Sequence, residues 1–275
     1  MFQTRYYAAI LLCAVPFTLG SHTMTQNQWI TTVLSSPQSG SFTATDNRGT
    51  PVIVEYLRTE MLSEEFTHAM QQAWEVAKPA YTTVEMQFLK QFPEVVGKEG
   101  YYKPFEALFA QGLAHVNWAQ VETTMQEVLK RHFVFTPSQF TGDMAKTLSQ
   151  DRYFFVSVKD AKSHELLGFT TFLIRPSYEP GNVKVTTLAV KPEAQHRGLG
   201  RLVTAAIFKA LPAITRIFLT TRVTNEGALK AYRSWGFTPT TQSPQDHMFN
   251  PEHWTFMEYQ VDKTNTLQQT AQKLR

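Results

Sequence analysis

Val183-Lys-Val-Thr-Thr-Leu-Ala-Val190-Lys-Pro-Glu-Ala-Gln195-His-Arg-Gly198-Leu-Gly200-Arg-Leu-Val203 is the stretch that decides the fold. A β-branched run, Val183–Val190, leads into a tight loop, and the loop opens an apolar helical segment, Gly198–Ala210. Gln195-x-x-Gly198-x-Gly200 sits at the junction. Glycines let a backbone come close to a ligand, and a helix start offers free N–H groups and the positive end of the dipole. A phosphate fits such a place. Arg197 and Arg201 add charge. The same glycines also fit a loop that merely turns the chain. A Walker loop needs Gly-Lys-Ser/Thr here, and the dinucleotide fingerprint needs a third glycine where Val203 stands.

A second motif follows. Arg216–Val223 reads as a strand, and Asn225-Glu-Gly-Ala228-Leu-Lys-Ala-Tyr232-Arg-Ser-Trp-Gly236-Phe237 reads as a helix opened by asparagine and closed by glycine. Upstream, Ser41–Leu57 forms a hairpin around Asp46-Asn-Arg-Gly49. Ser63–Ala77 forms a helix stopped by Pro79, Val84–Phe92 a short helix, Gly97–Pro104 a loop and Ala114–His132 another helix. Tyr153–Val158 and Leu166–Ile174 form a second hairpin, and Thr255–Val261 a last strand. The order predicts an α/β (α+β) chain with a mixed, mostly antiparallel central sheet flanked by helices.

The chain has 275 residues, of which 43% are hydrophobic and 18% charged, so a packed core is expected and wholesale disorder is excluded. The net charge of +3 does not by itself argue for nucleic acid. Cys13 is the single cysteine, which excludes a disulfide framework and a Cys-ligated zinc. Residues 1–23 read as a signal-like leader, or as an upstream extension with translation starting at Met24; the apolar run, about 14 residues, is short of the ~18–20 that span a bilayer. Residues 24–40 read as an irregular arm and 263–275 as a polar, exposed tail. Between them, 41–262 form one domain, enlarged by the helical region 63–132. His247 and His253 read as ordinary loop histidines rather than metal ligands. Tyr101, Tyr102 and Phe105 either line a pocket or pack the helices.

The two motifs, in this order and on these elements, resemble motifs A and B of the GNAT superfamily of acetyl-CoA-dependent N-acyltransferases. The resemblance covers roughly Ser41–Val261 and is specific in Val183–Phe237. It implies that Leu188, Ala189 and Val190 lie on a strand splayed from its neighbour, with the pantetheine arm of acetyl-CoA along their backbone. It implies that Gln195, His196, Arg197, Gly198, Leu199, Gly200 and Arg201 cradle the pyrophosphate, that Asn225 contacts the cofactor arm, and that Tyr232 protonates the departing thiolate. The acceptor is then a primary amine, attacking directly in a ternary complex without a metal, with the N–H of Val190 or a neighbour as oxyanion donor. Asn182–Thr240 carries nine lysines and arginines against two glutamates, which suits a polyanionic cosubstrate.

The sequence departs from well-known members at the base. Val183–Thr187 contains no carboxylate; Glu55, Glu60 and Glu165 are the substitutes considered, a water chain the alternative. The competing readings are a non-catalytic acyl-CoA-binding module and an acyltransferase on aminoacyl-tRNA. Because acetyl-CoA is an intracellular metabolite, the expected location is the cytoplasm.

Overall fold

Tyr153-Phe-Phe-Val-Ser-Val158 is apolar at nearly every position, and such a strand needs cover on both faces. The computed structural model provides it. It describes residues 24–60, 63–98, 100–134, 141–142, 146, 148–241, 250–261 and 266–275. In chain order the elements are α1 (Gln26–Ser35), β1 (Ser39–Thr45), β2 (Pro51–Glu60), α2 (Glu64–Gln91), α3 (Glu106–Phe109), α4 (Trp118–Phe133), β3 (Arg152–Asp160), β4 (Leu166–Ile174), β5 (Asn182–Val190), α5 (Leu199–Ala210), β6 (Arg216–Arg222), α6 (Glu226–Ser234), β7 (Thr238–Thr240), β8 (Trp254–Gln260) and α7 (Thr266–Gln272).

The strands form one sheet in the order β1-β2-β3-β4-β5-β6-β8-β7. The pairing is antiparallel except for β5 with β6, which are parallel and joined through α5. One face carries Phe154, Val156 and Val158 against α1, α5, α6 and α7. The other carries Tyr153, Phe155 and Phe169 against α2 and α4. The mixed, mostly antiparallel sheet flanked by helices is therefore as the sequence predicts. Among the described residues no helix is long and apolar enough to cross a membrane.

Three expectations are corrected. The stretch 24–40, read as an irregular arm, contains α1. Thr25 caps it through the Gln28 amide, the Gln28 side chain caps in return, and Trp29 and Val33 are fully buried. Two apolar residues one turn apart are too little periodicity to reveal it. Pro79 does not stop α2. The helix runs through it because the ring stands on the exposed side, while buried Trp74, Ala77, Met86 and Leu89 lie before and after it on the inner face. The tail 263–275 is not exposed over its described part: Leu267, Ala271 and Leu274 are buried in the same core as α5. The Arg275 N–H and carbonyl pair with the Thr43 carbonyl and N–H at 3.1 and 2.8 Å, which fixes the segment beside β1. Leu267→Ala should therefore cost about 2–4 kcal/mol. Urea denaturation checks this, with an unchanged midpoint contradicting the buried role.

Candidate active site

β5 pairs with β4 along its length but with β6 only from Asn182–Arg216 to Val185–Leu219. The parting coincides with a bulge. Thr171 lies opposite Thr187 and Phe172 opposite Val185, so Thr186 is the extra residue. A bulge adds local twist, and here the twist turns the second half of β5 away from β6. Leu188, Ala189 and Val190 occupy the parted half. Ala189 joins the core beneath α2, while Leu188 and Val190 pack towards the opposite face.

The chain then turns through a 3-10 segment, Pro192–Ala194, into the loop. His196 (φ 60°) and Gly198 (φ 79°) are both left-handed. Gly198 is the N-cap of α5 and has no side chain to cap with. Among the described residues, no group accepts a hydrogen bond from the backbone N–H of His196, Arg197, Gly198, Leu199, Gly200 or Arg201. Leu199 points into the core, and the Gln195 amide group donates to the Val190 carbonyl at 3.4 Å. Arg201 is partly exposed at the helix start.

The loop is held from outside. Arg197 Nε donates to Asp46 Oδ2 at 2.6 Å, and the Asn47 N–H donates to the Arg197 carbonyl at 2.9 Å. Asp46 Oδ1 in turn accepts from the amides of Arg48 and Thr50, closing the β1–β2 turn. So Arg197, read as a pyrophosphate ligand, has its guanidinium on Asp46. A Cβ on Gly198 would stand 2.7 Å from Asn47 Oδ1, and one on Gly200 3.1 Å from Trp235 Cη2. Both glycines thus serve close packing of the loop as well as any approach of a ligand. Burial of the Asp46 carboxyl acts to raise its pKa, but the Arg197 guanidinium and the amides of Thr50 and Arg48 outweigh it and hold it below 3.8. With the folded pKa below the unfolded one, the stabilisation is present at neutral pH and lost as the solution acidifies through the carboxylate range. Arg197→Met should lower the urea midpoint at pH 7, and the gap from the parent should narrow on acidification below about pH 4. A pH-independent gap would show that the loop is not held by this pair.

α6 lies on the other side of the opening. The Asn225 side chain accepts from the Ala228 N–H at 3.3 Å and donates to Thr221 Oγ1 at 3.1 Å, so the residue caps the helix and ties it to β6. At the far end Gly236 (φ 98°) closes a Schellman turn, with Phe237 N–H to Tyr232 O and Gly236 N–H to Arg233 O. Tyr232 is buried and its ring meets Trp235 and Phe237 edge-on or tilted. Burial pushes its hydroxyl up, and Tyr81 adds to the rise.

Sequence patterning does not single out Tyr81. It stands on α2, its ring edge-on to Phe133, and its hydroxyl accepts from the Leu188 N–H at 3.3 Å. One turn later on the same helix, Glu85 receives Arg222 Nε and Nη2 at 3.0 and 3.1 Å and the Tyr102 hydroxyl. The Arg222 guanidinium lies over the rings of Phe88 and Trp254, 3.9 Å from each centroid. This buried clamp fastens α2 to the end of β6. Tyr102 and Phe105 are fully buried, so they pack the helices. His253 sits between Phe88 and Phe92, and His247 lies outside the described residues. Glu55, Glu60 and Glu165 pair with Lys159, Arg152 and Lys191 respectively. The excess of cations in 182–240 is also partly balanced: Lys191, Arg197, Arg216 and Arg222 each meet a carboxylate from outside that segment.

Residues 106–237 match the model of the Acetyltransferase (GNAT) family. The chain has the fold of the GNAT acetyltransferase superfamily. No curated protein matches the sequence. Among solved structures, the chain is similar to the PaiA N-acetyltransferase of Thermoplasma acidophilum in complex with coenzyme A, at 13% identity, with 75% of this chain and 99% of that one covered and a TM-score of 0.39. It is also similar to the ribosomal-protein-S18-alanine N-acetyltransferase of Escherichia coli (18% identity, 47% and 79% covered, TM-score 0.33). A third is a single-site mutant of the SpeG spermidine N-acetyltransferase of Vibrio cholerae (19%, 52% and 75%, TM-score 0.33).

Proposed function

We propose that the protein moves an acetyl group from acetyl-CoA to a primary amine by direct attack in a ternary complex. One observation carries the reading: a run of amides from His196 to Arg201, without a hydrogen-bond acceptor among the described residues, stands at the start of α5, next to the part of β5 that β6 does not pair. A diphosphate satisfies such amides and gains from the helix dipole. An extended amide-bearing arm can pair with the backbone of Leu188–Val190, as an added strand would, by displacing the long bonds to the Tyr81 hydroxyl and the Gln195 amide. Arg201, which meets no carboxylate among the described residues, supplies positive charge at the helix start, and Arg197 works through its backbone.

In the chemical step the amine nitrogen bonds to the thioester carbon. The C–S bond breaks with its electron pair on sulfur, and the amine proton leaves to water. Tyr232 gives its proton to the thiolate and recovers one from solvent; burial keeps the hydroxyl protonated at neutral pH, although the same rise in pKa makes it a weaker acid. Residues 24–275 contain no cysteine to hold an acyl group, which favours the direct route. The reaction belongs in the cytoplasm, where acetyl-CoA is found.

A second reading, a non-catalytic acyl-CoA-binding module, is favoured by one fact: Glu85, the buried carboxylate near the opening, is held by Arg222 and Tyr102 and so is poorly placed to take the amine proton. Calorimetry with acetyl-CoA and turnover against an amine panel separate the two. Arg201→Glu should weaken acetyl-CoA binding by about tenfold or more, since it places a like charge against the diphosphate; equal heats for both proteins would remove the loop from the site. Tyr232→Phe should keep the affinity and lower kcat by about 10- to 1000-fold. Retained kcat would take Tyr232 out of the mechanism.

A further inference from the structure

Two hydroxyls border the opening from opposite sides. Tyr232 comes from α6, and Tyr81 from α2, close enough that Tyr81 adds to the rise in the pKa of the Tyr232 hydroxyl. The Tyr81 hydroxyl holds the N–H of Leu188, an amide of the parted half of β5 that a carbonyl oxygen of the cosubstrate would need as its donor. At 3.3 Å the bond is longer than the usual 2.9–3.0 Å mode, so exchanging it for another acceptor is cheap. Tyr81 is also well fixed. It sits mid-helix, with its ring edge-on to Phe133, and the clamp of Glu85 and Arg222 one turn away keeps α2 at this distance from the sheet. Burial pushes its hydroxyl up to about 12, against the pull of hydrogen bonds from Leu188 and Thr187. It therefore carries its proton throughout the neutral range, so the O–H that accepts from Leu188 also has a proton to donate.

We infer that Tyr81 and the Leu188 N–H together bind the carbonyl oxygen of the thioester, with Tyr81 as a second, side-chain donor to the developing oxyanion. This rests on the acetyl-CoA reading above. Donors 3.3 Å apart can each lie about 2.7–3.1 Å from one shared oxygen, the separation an oxyanion site requires. On entry, the thioester oxygen replaces the Tyr81 oxygen as acceptor for Leu188. The hydroxyl turns and donates to that same oxygen. The proton remains on Tyr81 while negative charge develops and when the carbonyl reforms. The acceptor amine then approaches from the α2 side and the sulfur leaves towards Tyr232, so the two tyrosines divide the work.

The test is isotope-edited infrared spectroscopy of acetyl-CoA labelled with carbon-13 at the thioester carbonyl, bound to the parent protein, Tyr81→Phe and Tyr232→Phe. The parent and Tyr232→Phe should show the carbonyl band shifted down from its position in water-free reference solvent, and Tyr81→Phe should lose much of that shift. Replacing Tyr81 with 3-fluorotyrosine, which keeps the shape and strengthens the donor, should deepen it. Tyr81→Phe should also lower kcat by about 10²- to 10³-fold with the acetyl-CoA affinity unchanged. Bound acetyl-CoA with the same band in the parent, Tyr81→Phe and the fluorotyrosine protein overturns the role of Tyr81 and leaves the cosubstrate reading standing. Failure of the parent to bind acetyl-CoA overturns both.

Discussion

The parting of β5 from β6 is the constraint on which the rest of the site depends. A sheet normally satisfies every backbone polar group through its neighbours. Here one strand keeps its partner on one side and loses it on the other after Val185–Leu219. The bulge at Thr186 makes the loss local, and the Thr171–Thr186 hydroxyl contact of 2.6 Å fixes where it falls. Backbone groups freed inside a fold must find other partners. One of them, the Leu188 N–H, has found the Tyr81 hydroxyl.

The elements around the opening have separate jobs. The β1–β2 turn braces the loop through Asp46, Asn47 and Arg197, so a hairpin distant in sequence sets the shape of the amide cradle. The clamp of Glu85, Arg222 and Tyr102 sets the distance between α2 and β6. A buried ion pair of this kind is not evidence of net stability, because desolvation offsets much of the attraction. Its bidentate geometry, flanked by two aromatic rings, does specify one arrangement of α2 against the end of β6. Asn225 and Gly236 fix α6 at its two ends, and with it the position of Tyr232.

Much of this was legible in the sequence. Strand character and order follow from the β-branched runs, and the two motifs mark the β5–loop–α5 unit and α6. Other parts were hidden for physical reasons. Pro79 reads as a helix end, so Tyr81 and Glu85 fell outside the helix whose inner face they share with Trp74 and Ala77. The tertiary burial of that face overrides the proline. The available signal was a carboxylate at a position that continues the apolar stripe, Ala77, Glu85, Phe88, which in a core must have a partner. The bracing role of Asp46 depends on a contact spanning about 150 residues, which no local pattern encodes. The side chains of Arg197 and Asn225, which the motifs single out, face the protein: one pairs with Asp46 and the other caps a helix. The bulge at Thr186 leaves no mark in Val-Thr-Thr-Leu.

The central claim is that the amides at the start of α5 and the open edge of β5 form one continuous seat. It is tested most directly by following backbone amide resonances in solution as coenzyme A is added. The account predicts that the largest shifts fall together on residues 196–201 and 188–190, with little change in β1, β2 and β8. Saturable binding that moves amides elsewhere and leaves both of those stretches unchanged would contradict it.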